Sequence, residues 1–159
     1  MYPTQWSSTL KLWVFTFLKI PMLFWMRPRI AVMNDANAVI CIKFGRRTRN
    51  HVNSMYFGAL CAGADLTVGL LAMHLFKVHG FPGKLVFKTI NADFVKRCEG
   101  HAYFLCDEGA LIAEAIEKAK ATHERQSILV NARAVVLTAQ GEEVVAVFKM
   151  GLSFKGKGD

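Results

Sequence analysis

An aspartate embedded in an apolar run is the first residue whose type and setting suggest chemistry. Residues 52–75 of the 159-residue chain contain only Asp65 and His74 as acidic or basic side chains. At helical spacing Asp65 is preceded by Gly58, Cys61 and Ala62 and followed by Gly69 and Ala72. A stripe of small residues lets a strand or a ligand approach the backbone closely. A carboxylate there is costly to keep charged unless paired. It should therefore bond to a neighbouring strand or to Arg133, or carry a raised pKa and act as base or nucleophile. Upstream, Asn50-His51-Val52-Asn53-Ser54-Met55-Tyr56-Phe57-Gly58 leads polar side chains into a helix start. The free N–H groups of such a terminus can hold an oxyanion. Donors on that loop, with a carboxylate two turns further along the same helix, suit attack on a thioester or ester carbonyl.

The other reactive residue types add less. Cysteines 41, 61, 98 and 106 form no CxxC pair, and no His/Cys cluster has metal spacing. His74 and His79 stand five apart, off the four-residue interval of helical ligation, so no metal is assigned. Cys61 lies one turn before Asp65 without a partner base and reads as a small core residue. A disulfide framework is unusual in a chain able to bury its own core, so a reduced, cytoplasmic protein is expected.

The elements that must position Asp65 follow from pattern. A helix over about 55–76, capped by Asn53 or Ser54 and ended by Gly80 and Pro82, carries it. Around it, residues 29–44 read as strand, turn, strand about Asn34-Asp35-Ala36-Asn37. Strands follow over 85–95 and 102–106, joined by a Gly100 turn. A surface helix spans about 109–124, and a last hairpin over 127–138 and 143–154 closes at Gln140-Gly141. This order predicts an α+β domain, a curved antiparallel sheet wrapping one long apolar helix on every side. The run over 52–75 is a core helix rather than a membrane span, because an aspartate sits near its middle.

Composition fits one globular domain: 53% hydrophobic, 20% charged, with no repeat or linker-like stretch. Of the net charge of +8, residues 1–64 contribute +7, from eight basic residues and Asp35. That surplus attracts phosphate groups. No nucleic-acid motif accompanies it, so nucleic acid is not expected as a partner. Residues 10–26 are interrupted by Lys11, Lys19 and Pro21 and lack a cleavage site, which argues against a signal peptide. They read as an amphipathic N-terminal helix that packs on the domain or lies on a membrane surface. The division drawn is 1–28 for this helix and 29–159 for the main domain.

Asn50-His51, with Gly58 seven residues before Asp65 in Gly58-Ala59-Leu60-Cys61-Ala62-Gly63-Ala64-Asp65, resembles the signature of hotdog-fold acyl-CoA thioesterases of the phenylacetyl-CoA type. Asn91-Ala92-Asp93-Phe94-Val95-Lys96-Arg97 and the closing hairpin are similar to the same family, over about residues 30–155. The nearest likeness is to a thioesterase-like branch with an added N-terminal helix. The resemblance implies the hotdog fold, a dimer or dimer of dimers with active sites between subunits, and acyl-CoA as substrate without a separate cofactor. It gives Asp65 the role of base or nucleophile and has Asn50 position the carbonyl or water. It also implies that the backbone N–H of Phe57, beside Gly58, polarises the thioester. The sequence departs from the family in reading Tyr56-Phe57-Gly58 where His-Gly-Gly would stand, so Phe57 is expected to narrow the pocket or change the turn. Lys96 and Arg97, then Arg46, Arg47 and Lys84, are candidates for the coenzyme A phosphates.

Two alternatives stay open. One is a catalytically silent acyl-CoA or lipid-binding protein. The other is a 3-hydroxyacyl thioester dehydratase using His51 and Asp65, which stand fourteen residues apart but lack the Pro-Gly turn of hotdog dehydratases.

Overall fold

A computed structural model describes residues 2–156; positions 1 and 159, the outer limits of the division drawn above, lie outside them. Pro21 breaks the N-terminal apolar segment. One helix was expected there, but two form, α1 (Trp6–Lys19) and α2 (Pro21–Met26), because proline is favoured at a first helical position and excluded from an interior. Leu12, Leu23 and Met26 bury into the main core, and the Trp13 indole donates to the Pro28 carbonyl (2.7 Å).

The chain then forms β1 (Arg29–Met33) and β2 (Ala38–Ile42). The Asn34 carboxamide closes their turn by accepting from the N–H groups of Ala36 and Asn37. The long helix α3 (Phe57–Val78) follows, then β3 (Gly83–Asp93), β4 (Ala102–Cys106), α4 (Gly109–Thr122), β5 (Gln126–Thr138) and β6 (Gly141–Gly156). The six strands form one antiparallel sheet ordered β1-β2-β4-β5-β6-β3. Consecutive β3 and β4 are therefore not partners: β3 pairs with β6 at one edge, and β4 lies between β2 and β5. A sheet curving around one helix, with the strand that follows that helix placed at the far edge, is the hotdog arrangement.

Sequence pattern explains the placing of the strands. Ala38–Ile42 and Ala102–Cys106 are continuous apolar runs because both of their faces are covered. Ile40, Ile42, Phe104 and Cys106 face the main core, while Val39, Cys41, Tyr103 and Leu105 form a second cluster with Tyr2 against it. The inner face packs on α3, where Gly63 admits the Phe104 ring so closely that a Cβ would overlap it. By contrast, most of β3 is exposed, including Val86, Phe87 and Ile90.

The sheet does not cover α3 on every side, as its composition had suggested. Gly58, Cys61, Ala62, Asp65 and Gly69 stay only half-buried and Met73 is exposed, forming one stripe at three- and four-residue intervals. That stripe is the one Asp65 occupies.

Candidate functional site

The helix that carries Asp65 begins where a well-anchored loop ends. Thr48 Oγ1 donates to the Lys43 carbonyl (2.8 Å), Met55 N–H to Cys98 (2.7 Å) and Tyr56 N–H to Thr48 (2.7 Å). Neither Asn53, which has φ of 58°, nor Ser54 caps the helix; Tyr56 occupies the N-cap and supplies no side-chain bond. Its carbonyl accepts from Ala59 and Leu60. The N–H groups of Phe57 and Gly58 meet no acceptor among the described residues, so two donors of the positive helix end remain free.

Asn50 shapes this loop. Its Oδ1 accepts from the N–H groups of Val52 (3.1 Å) and Ser54 (3.0 Å), a local side-chain turn. His51 is exposed. The Phe57 ring turns outward, packing on Tyr56 at 4.8 Å and Phe94 at 6.1 Å between centroids. It therefore does not line the cleft beside Asp65, contrary to the expected narrowing.

That cleft measures about 430 Å³ and is lined by Gly58, Cys61, Ala62 and Asp65 of α3, Met22 of α2, Phe87 to Ile90 of β3, and Met150 of β6. Asp65 makes no hydrogen bond or ion pair among the described residues. Burial pushes its carboxyl above the usual range. Arg133, the cation considered for it, pairs instead with Asp107 (2.6 Å). Burial likewise raises the Cys61 thiol, which keeps it protonated and a poor nucleophile.

Gly58 and Asp65 line one cleft, yet seven residues of helix separate them by about 10 Å along the axis. No single carbonyl can meet both the free N–H groups and the carboxylate of one chain. Asn50 and His51 are not lining residues of the cleft either. The cluster expected from sequence is therefore assembled only in part: Gly58 and Asp65 share a cleft, and Asn50, His51 and the Phe57 side chain stand outside it.

The five candidate phosphate-binding cations are also dispersed. Lys96 pairs with Glu143 (2.5 Å) and Arg97 with Glu99 (3.4 Å). Arg47 lies 4.7 Å from the centroid of Trp25 and donates to its carbonyl. Arg46 and Lys84 are exposed and make no ion pair among the described residues. Lys88, Thr89 and Met22 line the cleft without any local pattern in the sequence that marks them. Their positions depend on the β3 edge, on a shift of strand register between Phe87 and Thr89, and on the α1–α2 break. A larger groove of about 600 Å³ holds Asp93, Asp107, Glu108 and Arg133; there Asp107 pairs with Arg133, and Glu108 accepts from Asn131 (2.6 Å).

Comparison with known proteins agrees with this architecture. The chain is similar in structure to a protein of unknown function from Chlorobaculum tepidum (TM-score 0.80, 13% identity, covering 98% of this chain and 99% of that one). It is also similar to a thioesterase family protein from Silicibacter pomeroyi (0.69, 13%, 94% and 99%). A third likeness is to a thioesterase from Haemophilus influenzae (0.62, 11%, 90% and 88%). At these identities the likeness establishes the shared fold. No curated protein matches in sequence. A family model described as a domain of unknown function, DUF4442, matches residues 10–150. With its long helix held in a six-stranded hotdog sheet, the chain belongs to the DUF4442 family.

Proposed function

We propose that this protein hydrolyses acyl thioesters of the coenzyme A type, with Asp65 as general base, in a homodimer joined along β3. The observation that carries the reading is a half-buried carboxylate without a counter-ion, facing a cleft open enough for a ligand. Thioesterases among the structural neighbours share the fold and support the same class of reaction. Asp65 takes a proton from water, the hydroxide adds to the thioester carbon, and paired N–H groups hold the developing oxyanion. Collapse breaks the carbon–sulfur bond, releases the carboxylic acid, and returns the proton from Asp65 to the departing thiolate.

The dimer is needed on two grounds. The donors at Phe57 and Gly58 and the base at Asp65 are too far apart to act on one carbonyl within a chain. A second copy can bring its own helix start to this Asp65. In addition, β3 is an eleven-residue edge strand with Val86, Phe87 and Ile90 exposed, the kind of edge that soluble proteins cover. Of the five candidate cations, the side chains of Arg46 and Lys84 alone have neither an ion pair nor a hydrogen-bond partner among the described residues, which leaves them for the coenzyme's phosphates.

The test is thiol release from a panel of acyl-CoAs. Wild-type protein should turn over at least one of them, and Asp65→Asn should lose about 10²–10⁴-fold in rate. Saturable binding without release would instead identify a silent acyl-CoA-binding protein. The exposure of the His51 ring outside the cleft argues against a 3-hydroxyacyl thioester dehydratase, which would need that ring as acid or base.

A further inference from the structure

Helix α1 is amphipathic the wrong way round for a helix facing water. Its inward side carries Thr9, Leu12 and Thr16, with Thr9 Oγ1 accepting from Ile30 N–H (3.0 Å) and Thr16 Oγ1 donating to Leu12 (2.8 Å). Its outward side presents Trp6, Leu10, Val14, Phe17 and Leu18, and α2 adds Trp25; each is more than half exposed. A contiguous apolar face of this kind marks a contact surface.

Cations surround that face. The Arg29 guanidinium stands 5.0 Å from the Trp6 ring centroid, Arg27 6.0 Å from Trp13, and Arg47 4.7 Å from Trp25. Lys11 and Lys19 are exposed on α1 itself. No acidic residue precedes Asp35, which is engaged by His74 (2.8 Å). A second copy docked face to face would set these cations against their own equivalents with no acid between them, which disfavours self-association here. An anionic bilayer offers the complement: apolar side chains enter the acyl boundary, tryptophans lie at headgroup level, and Arg and Lys extend to phosphates.

We infer that α1 and α2 form a docking surface for anionic phospholipid membranes, with the Asp65 cleft opening beside it. Met22 links the two features, being exposed on α2 while also lining the cleft. On the function proposed above, an acyl chain dissolved in the bilayer reaches Asp65 past Met22 without crossing bulk water. The docking itself does not depend on that function.

Flotation of the full chain with unilamellar vesicles tests it, comparing phosphatidylcholine with phosphatidylcholine containing about one third phosphatidylserine. The protein should float with the anionic vesicles, bind neutral ones about tenfold more weakly, and be released by high salt. The double variant Leu10→Ser/Phe17→Ser should retain its circular dichroism spectrum, because both side chains are exposed, and lose about tenfold or more in vesicle binding. It should still cleave a water-soluble acyl-CoA without vesicles. Asp65→Asn should float as wild type does, so loss of its activity and loss of docking are read separately. Two results overturn the inference: wild-type protein that stays in the lipid-free fraction with both compositions, or a double variant that shifts to a smaller species in light scattering, which gives the face to a second copy.

Discussion

Lys88 lines the same cleft as Asp65, yet its Nζ donates to Ser127 Oγ (3.3 Å) and makes no ion pair with the carboxylate. The acid thus stays without a counter-charge although a cation lies at the rim. Desolvation then governs its titration. If Asp65 is the base, it must be ionised to work. The rate of thiol release should rise with pH through a midpoint above the ordinary carboxylate range, and Asp65→Asn should abolish that limb. A profile flat from mildly acidic to neutral pH would remove Asp65 from the role.

The same displacement has a stability consequence. Because the folded pKa of Asp65 is raised, the native state holds its proton more tightly than the unfolded chain does. Stability is fully present below the unfolded pKa and declines as pH rises through the folded one. Asp65→Asn should therefore be more stable than wild type at neutral pH, with the gain vanishing below about pH 4. Urea unfolding at the two pH values checks it, and a variant weaker at neutral pH would show that the carboxylate is structurally paired.

Along β3, Val86→Lys places a charge on the exposed edge without touching the Asp65 cleft. Light scattering should show dimer before and monomer after, with thiol release falling together with the dimer. An active monomer would refute an active site shared between subunits.

Closer to the core, Gly63→Ala drives a methyl group into the fully buried Phe104 ring. The cost should be about 1–3 kcal/mol in urea unfolding. Gly45→Ala, with nothing near its added carbon, should stay within about 0.5 kcal/mol of wild type.

Leu23 of α2 is buried in the same core as the α3 and sheet side chains. Leu23→Ala should cost about 2–5 kcal/mol in a single unfolding transition. An early, separate transition would show instead that the N-terminal helices melt on their own.

Much of the fold was legible because burial imposes pattern. The doubly covered β2 and β4 read as unbroken apolar runs, the β5–β6 hairpin announced itself at Gly141 (φ 121°), and α3 was too apolar to be a surface helix. Asp65 stood out as the one acid on that helix. What the sequence concealed depends on contacts between distant segments. Nothing local reports that β3 pairs with β6 rather than β4, so Lys88 and Thr89 could not be assigned to the cleft. Propensity suggested Asn53 or Ser54 as the helix cap, but the Asn50 carboxamide had already claimed the loop's N–H groups at Val52 and Ser54. The separation of the two chemical ends of α3, by contrast, is set by the seven-residue spacing itself at the helical rise of about 1.5 Å per residue.

The turn at Ala139 and Gln140 joins strands of thirteen and sixteen residues. This hairpin closes with little loop entropy, whereas pairing β3 with β6 or β2 with β4 means spanning long stretches of chain. During synthesis, however, the hairpin leaves the ribosome after α3 does. The apolar α3 emerges well before the strands that bury it, and must be shielded from other nascent chains until β5 and β6 arrive.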